Sequence, residues 1–318
     1  MYNILSSYAE RKEMAMQLEF QNITKRFGDK EVLHAVSFIV RSGRAMGFLG
    51  RNGAGKSTTM RCLMDVFKPN SGAFLLDGKP FKVKENRIGY LPEERGMYQK
   101  HKVLDQLVYF AMLRGAGRQD ALRSANHWVD YFELGDFKKK PLEQLSKGNQ
   151  QKIQIAQSFL NEPDILILDE PFSGLDPVNA QIFKDTISSF VSQGKLVIFS
   201  SHQMSYVEEV CDDITLIHEG NILLSGALDD IKRDLGQDKL RLRVEDMTLE
   251  ALDTALKDRF PALLTQPHDD DLILDLKGSL TQKDALEFIL SKNYTVANFG
   301  LYFPSLSDIF IQRVGEQA

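Results

Sequence analysis

The chain is poor in cysteine, in long apolar runs and in excess positive charge, and each shortage excludes a class of protein. Its two cysteines, Cys62 and Cys211, are too few for a disulfide framework or a zinc site, and we interpret them as buried thiols in a reducing compartment. No stretch approaches the roughly 20 apolar residues that span a bilayer, and the best run, Leu107–Leu113, includes a tyrosine. A formal net charge of -5 provides no overall basic surface, so we do not expect nucleic acid as a partner.

What is present is an ordinary globular composition, with 43% hydrophobic and 26% charged residues among 318. This length predicts one large and one small domain. Residues 1–16 are predicted to be an irregular leader. They are not a signal peptide, because they have charges in the middle and no apolar core. We expect residues 1–13 either to remain unpacked or to derive from an early start codon. The change of pattern near residue 235 predicts a first domain over 17–234 and a second over 235–318.

The first domain has the pattern of an α/β fold. Two short and nearly pure apolar runs, Ile165–Leu168 and Leu196–Phe199, suit strands buried on both faces of a parallel sheet. The predicted helix Asn179–Val191 connects them as a crossover. Residues from about 101 to 160 are predicted to be mostly helical. The remaining predicted elements are strands Gln17–Phe20, Ala35–Val40 and Ala45–Leu49 and a helix from Lys56 to about Phe67.

The second domain has the order β-α-β-β-α-β, which is that of a ferredoxin-like split unit. The final helix follows Pro304, and either Ser305 or Ser307 is its predicted N-cap. The predicted elements before it are Lys239–Val244, Leu249–Asp258, Ala262–Gln266, Leu272–Leu276, Gln282–Lys292 and Thr295–Leu301, with a polar loop at Pro267–Asp271.

The segment Gly50–Ser57 matches the phosphate-binding pattern G-x-x-x-x-G-K-[ST], with a predicted strand before it and a helix after it. Glycines let backbone N–H groups face phosphates, and the helix N-terminus adds a positive end. Lys56 is expected to reach the β- and γ-phosphates of ATP, and the Ser57 hydroxyl to ligate Mg²⁺. The alternative is a glycine-rich turn with a solvated lysine. The residues expected to contact the nucleotide here are Gly50, Asn52, Gly53, Ala54, Gly55, Lys56, Ser57 and Thr58.

Two carboxylates, Asp169 and Glu170, follow the apolar run Ile165–Leu168. Ligands bind at the carboxyl edge of an open α/β sheet, so both side chains are expected to lie near the phosphates. Asp169 is then placed to hold Mg²⁺ directly or through water, and Glu170 to activate the attacking water. Acidic residues also end strands for solubility, but the neighbouring phosphate loop favours the catalytic interpretation.

Together with further motifs, these residues resemble the ATPase cassette of ABC transporters over residues 17–230. Leu145–Asn149, which opens a predicted helix, is similar to the ABC signature, and Ser173–Asp176 is similar to the D-loop. His202 follows a strand as the switch histidine does in this family. Phe27 lies where the family stacks an aromatic ring on adenine.

The resemblance implies a fold and an assembly. The fold is a RecA-like parallel sheet with an N-terminal antiparallel β subdomain and a helical subdomain at about 99–160. A small α+β C-terminal accessory domain follows it. Two cassettes, in a homodimer or a heterodimer, pair head to tail around two ATP molecules, so Ser146, Gly148 and Asn149 would meet the nucleotide held by the partner chain. Multi-span membrane permease subunits would bind the pair at the cytoplasmic face of the membrane.

The motifs of this chain differ from the common family pattern at three places. Arg51 replaces a usual proline in the phosphate loop, and Glu93 stands where many members have the Q-loop glutamine, which changes a donor and acceptor into an acceptor alone. Lys147 and Asn149 replace glycine and glutamine of the common signature.

The segments YLPEERG, LSKGNQQK and PSLSDIF (Pro304–Phe310) occur together in bacterial export ATPases of the drug, bacteriocin and sodium-extrusion kind. The sequence therefore predicts the ATP-hydrolysing subunit of a bacterial exporter. The alternatives are a non-transport ABC ATPase acting in repair or on the ribosome, and an importer ATPase. The single cassette and the lack of a cysteine cluster favour transport.

Overall fold

The computed structural model describes residues 16–94, 96–277 and 280–316. The chain divides into two units between Leu228 and Asp229, at the start of a helix that covers Leu228–Gly236. The predicted domain boundary at residues 234 and 235 falls at the other end of the same helix. The predicted leader lies, except for Met16, outside the described residues.

An antiparallel sheet begins the first unit, with strand order β2-β1-β4-β5. Leu18 and Phe20 of β1 are buried in its core. The first two strands are longer than predicted, because register shifts after Phe20 interrupt the alternation of apolar and polar residues on which the prediction depends. The strands are β1 (Gln17–Phe27), β2 (Lys30–Arg41), β4 (Ser71–Leu76) and β5 (Lys79–Pro80).

The second sheet of this unit has six strands in the order β10-β9-β3-β8-β7-β6. All neighbouring strands are parallel except β10, which runs antiparallel to β9. The predicted α/β fold with a parallel P-loop core is confirmed. Because β3, β8 and β7 are neighbours, their carboxyl ends share one edge. The strands are β3 (Ala45–Leu49), β6 (Ile88–Leu91), β7 (Ile165–Asp169), β8 (Leu196–Ser201), β9 (Asp213–His218) and β10 (Asn221–Ala227).

Six helices belong to this part of the described chain. The first, α1 (Lys56–Leu63), ends earlier than the predicted limit near Phe67, because Asp65 adopts a left-handed conformation with φ 57° that cannot continue a right-handed helix. The other helices agree with the predicted positions to within a few residues where a helix was predicted. They are α2 (Val103–Leu113), α3 (Arg118–Tyr131), α4 (Lys147–Phe159), α5 (Pro177–Ser192) and α6 (Met204–Val210).

The second unit contains a four-stranded antiparallel sheet in the order β12-β13-β11-β14. Its chain order confirms the predicted β-α-β-β-α-β pattern. The predicted loop Pro267–Asp271 is too long at both ends. Asp271 is the first residue of a strand, and Pro267 lies in an edge strand, where a missing N–H is tolerated. The elements after helix α7 (Leu228–Gly236) are β11 (Lys239–Val244), α8 (Leu249–Arg259), β12 (Leu264–His268), β13 (Asp271–Asp275), α9 (Gln282–Ser291), β14 (Val296–Leu301) and α10 (Leu306–Gly315).

Candidate functional site

The loop Gly50–Ser57 connects β3 to α1 and depends on glycine at three positions. Gly53 and Gly55 have φ of 83° and 114°, a region that residues with a side chain rarely adopt. A Cβ atom on Gly50 would lie 2.4 Å from the Ile217 carbonyl oxygen of β9. The loop is therefore held close against the sheet, and the amino end of α1 opens beside it, which is a favourable place for an anion.

Lys56, the first residue of α1, is buried, with 5% of its side chain exposed. Its Nζ donates a hydrogen bond to the Gly50 carbonyl at 2.7 Å. The same nitrogen lies 3.4 Å from Oε1 of Glu170. A buried cation thus lies between the loop and the carboxylate that follows β7.

Asp169 ends β7 and is 1% exposed. The Ser200 hydroxyl of the neighbouring strand donates to its Oδ1, whereas no hydrogen-bond partner for Oδ2 exists among the described residues. Burial raises the pKa of Asp169, and the negative charges of Glu93 and Glu170 raise it further, although the Ser200 and Ser57 hydroxyls act in the opposite direction. An orphaned buried carboxylate oxygen of this kind is the donor that a hard divalent cation requires.

Glu170 occupies a left-handed conformation with φ 51°, which costs about 1–3 kcal/mol in a residue with a side chain. Its amide donates to the Ser200 carbonyl at 3.2 Å, which helps to hold this turn. Its buried Oε2 lies 2.9 Å from Nδ1 of His202, the residue after β8, and 3.4 Å from the His202 amide. Oε1 accepts no hydrogen bond from the described residues. Oε2 is therefore held by His202, whereas Oε1 has, among the described residues, only the ion pair with Lys56 and can still accept a hydrogen bond from a ligand.

Glu93, in the loop after β6, reaches the same place, and the Ser57 hydroxyl donates to its Oε2 at 3.3 Å. A cavity of about 220 Å³ is lined here by the loop from Arg51 to Thr58, by Glu93 and by Glu170. No cluster of three His, Cys, Asp or Glu side chains that could hold a metal by itself occurs in the described part of the chain. Ser57, Asp169 and Glu93 offer hydroxyl and carboxylate oxygens, which are the ligands that Mg²⁺ prefers. They fit an ion whose remaining ligands include oxygens of a phosphate.

Four predicted site residues, Phe27, Ser146, Gly148 and Asn149, neither line this cavity nor take part in the contacts described above. Ser146 is the N-cap of α4, and its hydroxyl accepts a hydrogen bond from the Asn149 amide at 3.2 Å. Gly148 is partly buried in the first turn of the same helix. Phe27, at the end of β1, is 48% exposed and packs edge-on against Phe67 at 5.3 Å. Within the described residues, the structure therefore brings the phosphate loop together with Glu93, Asp169, Glu170 and His202. The signature segment Leu145–Asn149 does not take part in this group.

Ser200 is the residue that the sequence interpretation missed. It contacts the Asp169 carboxylate and the Glu170 backbone, because its hydroxyl donates to Asp169 Oδ1 and its carbonyl accepts from the Glu170 amide. A usable signal was present, since Ser200 and Ser201 are the polar end of the apolar run Leu196–Phe199, in the strand that precedes His202.

A strand, a glycine loop and a helix that begins with a buried lysine, with two carboxylates on a nearby parallel strand, define an ATPase of the P-loop class. Comparisons with known proteins specify the class further. The ABC transporter family model matches residues 33–173. A second model, for the C-terminal domain of DrrA1-3-like ATP-binding proteins, matches residues 226–314.

Individual proteins agree with the family models. The uncharacterized ABC transporter ATP-binding protein YhaQ of Bacillus subtilis (strain 168) is 37% identical, over 94% of this chain and 98% of that protein. The Nod factor export ATP-binding protein I of Burkholderia lata is 32% identical, over 66% of this chain and 70% of that protein. A solved structure of an ATP binding subunit of an ABC transporter superposes with a TM-score of 0.64 at 28% identity, and covers 76% of this chain and 99% of its own.

The chain belongs to the family of ABC transporter ATP-binding proteins. It is therefore an ATP-binding protein and an ATPase, and proteins of this family work as dimers with membrane permease partners. Among the helices that the structure describes, none combines the length and the apolar character needed to cross a bilayer.

Proposed function

We propose that this chain is the ATP-hydrolysing subunit of a bacterial exporter and that Glu170 is the general base of its reaction. The observation that carries the catalytic part is the position of the Glu170 carboxylate between Lys56 and His202, on the wall of the phosphate-loop cavity. The similarity to a Nod factor export protein supports the direction of transport.

In the proposed reaction, Oε1 of Glu170 accepts a proton from a water molecule whose oxygen attacks the γ-phosphorus of ATP. The bond between the γ-phosphorus and the bridging oxygen breaks, which gives ADP and phosphate. His202 holds Oε2 through its Nδ1, so that the carboxylate keeps one orientation. Lys56 and the backbone amides of the loop bind the phosphates and oppose their negative charge.

Ser57 and Asp169 are proposed to hold Mg²⁺, with Glu93 beside them. The ion would neutralise charge on the β- and γ-phosphates when it is bound. The orphaned Oδ2 of Asp169 and the short distance between the Ser57 hydroxyl and Glu93 support this assignment. The adenine is proposed to stack on the exposed ring of Phe27.

A second copy or a related cassette is proposed to complete each site. Ser146, Gly148 and Asn149 do not line the cavity of their own chain, yet they surround the amino end of α4, where amide groups can bind an anion. If two chains pair head to tail, these groups face the phosphates held by the partner's loop. ATP would then hold the two nucleotide sites together, and hydrolysis would separate these sites.

The membrane partner is proposed to bind a groove of about 770 Å³ beside the site, which would place the chain at the cytoplasmic face of the membrane. The groove is lined by Tyr90, Leu91 and Pro92, which precede Glu93, and by residues of α2 that include Leu113. Leu113 is 65% exposed, so it gives this groove an apolar surface that a partner could cover. Movement of a partner segment in this groove would shift Pro92 and, through it, the next residue, Glu93.

Arg114 adds a charge to this groove. Its Nη1 donates to the Gln157 carbonyl at 2.8 Å, and burial lowers its pKa to about 10. A half-buried guanidinium favours a carboxylate or a carbonyl group, so the partner segment is proposed to offer one.

Replacement of Glu170 by Gln tests the catalytic proposal. The variant keeps the shape of the side chain but cannot accept the proton, so we expect turnover to fall by about 10²–10⁴-fold. ATP binding should survive, because Lys56, Ser57 and Asp169 are unchanged. Loss of one negative charge near the γ-phosphate should also stabilise the ATP-bound dimer. Phosphate release and gel filtration with and without Mg-ATP measure both effects.

Lys56→Ala is the matched control for this experiment. We expect it to weaken nucleotide binding, so that Mg-ATP does not change the elution of this variant in gel filtration. Hydrolysis by Glu170→Gln at the wild-type rate would show that Glu170 is not the base.

The transport assignment is tested by affinity purification from detergent-solubilised bacterial membranes. We expect a multi-span membrane protein to copurify with the wild-type chain. Leu113→Glu should lose this protein, whereas Leu122→Glu, which alters an exposed leucine of α3 outside the groove, should keep it. Copurification of ribosomes or DNA in place of a membrane protein would overturn the assignment, and an unaffected Leu113→Glu variant would overturn the groove as its site.

A further inference from the structure

The sheet of the second unit has two edge strands among the described residues, and their sequences differ in kind. One edge, β12 (Leu264–His268), contains Pro267, which has no N–H to offer to another strand. The other edge, β14 (Val296–Leu301), has the sequence VANFGL, with neither a charged residue nor a proline. Soluble proteins commonly protect edge strands with charges, prolines or bulges against pairing with other chains. In β14 the one irregularity of pairing lies at the amino-terminal end, between Val296 and Asn298, so Phe299–Leu301 form the part of this edge that has no such protection.

The outer side of β14 is available for pairing. Among the described strands, β14 pairs with β11 alone. The Tyr302 amide donates to the Lys239 carbonyl, so residues 302, 300 and 298 direct their backbone groups toward β11. Because these directions alternate in an antiparallel pair, the N–H and C=O groups of Phe299 and Leu301 point outward.

Exposed apolar side chains accompany these free backbone groups. Val296 is 39% exposed and Leu301 is 53% exposed, and Phe303, just after the strand, is 54% exposed. A Cβ atom on Gly300 would have no heavy atom within 4 Å, so the face of the sheet is open at this residue. The edge therefore offers hydrogen-bonding groups together with an apolar margin.

We propose that β14 pairs antiparallel with β14 of a second copy of this chain, so that two four-stranded sheets become one sheet of eight strands. When two copies of one strand pair around a twofold axis, both contribute the same residues to the contact. Self-pairing is disfavoured for a charged strand, because like charges would meet, but VANFGL has no charge that would oppose it. The free amides and carbonyls of the two strands would satisfy one another.

The proposed occupant is a second copy, because the homodimer form of the proposed ATPase assembly contains a second β14. This step rests on the proposed function, in which two cassettes pair around ATP. Two C-terminal units attached to one dimer have a high effective concentration toward each other. The β14 contact does not need ATP, so it would keep two chains together after hydrolysis separates the nucleotide sites.

The test is sedimentation velocity of the full-length chain without nucleotide. We expect the wild-type chain to sediment as a dimer and Leu301→Lys to sediment as a monomer, because the lysines introduce like charges at the contact. Leu264→Lys is the matched control, since it makes the same change at the edge that contains Pro267, and it should remain a dimer. A wild-type monomer, or a dimer in Leu301→Lys, overturns the proposal.

Hydrogen exchange at the Phe299 amide identifies the surface directly. This amide points outward and should exchange slowly in the wild-type dimer and quickly in Leu301→Lys. Equal exchange in the two proteins overturns the proposal even if both are dimers. The Glu170→Gln variant with Leu301→Lys added should still form the ATP-trapped dimer, so failure of strand pairing and failure of the ATP-dependent dimer are distinguishable.

Discussion

At the scale of single residues, Glu93 adds a third carboxylate near Asp169 and Glu170. The resemblance described in the sequence analysis leads us to expect a neutral glutamine at this position. The pKa of Asp169 is raised by burial and then by the charges of Glu93 and Glu170. A raised pKa means that Asp169 binds a proton at a higher pH than an ordinary aspartate, and a protonated Asp169 is a poor ligand for Mg²⁺.

Glu93→Gln is expected to extend ATP hydrolysis to lower pH. Removal of the Glu93 charge lowers the pKa of Asp169, so the acidic decline of the pH–rate profile should move toward lower pH. Glu94→Gln is the control, because Glu94 is an exposed neighbour that pairs with Arg61 and should leave the decline in place. A decline that stays at the wild-type pH in Glu93→Gln would contradict the coupling.

At the scale of secondary-structure elements, the motif Pro304–Phe310 has a local explanation in the start of α10. Ser305 accepts a hydrogen bond from the Asp308 amide, and the Asp308 carboxylate accepts from the Ser305 amide and hydroxyl, which forms a capping box. Nε2 of His268 also lies 3.1 Å from this carboxylate. Partial burial acts to raise the pKa of Asp308, but these hydrogen bonds outweigh it and the pKa lies below its usual value.

Ser305→Ala should reduce the stability of the second unit by about 1 kcal/mol, the typical cost of a lost N-cap. Ser307→Ala, which changes the other serine of the motif, should have a much smaller effect. Urea unfolding followed by a signal from the second unit measures the difference.

The stabilisation from Asp308 should depend on pH in a defined direction. Because its folded-state pKa is depressed, its contribution is present above the unfolded pKa and is lost as the pH falls through the folded pKa. The difference between wild type and Ser305→Ala should therefore shrink in acid. An equal loss of stability in Ser305→Ala and Ser307→Ala would exclude Ser305 as the cap.

At the scale of the whole molecule, the two units have separate apolar cores. One cluster draws its residues from 16–222 and includes strands of both sheets of the first unit. The other lies within 240–299 and joins α8 and α9 to the four-stranded sheet. The residues that line the nucleotide cavity all belong to the first unit.

A chain that ends at Gly236 is therefore expected to fold and to bind Mg-ATP as the full-length chain does, while it loses dimer stability or regulation. Calorimetry in the Glu170→Gln background, where hydrolysis does not intervene, measures the affinity, and Lys56→Ala in the same truncated chain provides the non-binding control. If a soluble and folded truncated chain no longer binds nucleotide, the second unit must contribute to the site.

The amino-acid sequence by itself determined the class of the protein, because the phosphate loop, the carboxylates after Ile165–Leu168 and the signature at Ser146 are short local patterns with one chemical purpose. It also determined the order of strands and helices from β11 to α10 in the second unit, since period and turn residues are local properties. In the first unit it determined the order only in part, because β4, β5, β6, β9, β10 and α6 were not predicted.

The tertiary structure decided what depends on contacts between distant segments. The meeting of Ser200 with Asp169 requires β7 and β8 to be neighbours, and the proximity of Glu93 to Ser57 requires the loop after β6 to reach the start of α1. The exposed edge of β14 follows from the strand order of its sheet. None of these can be obtained from the spacing of residues along the chain, because hydrogen bonds, burial and charge–charge effects depend on distances in the folded molecule.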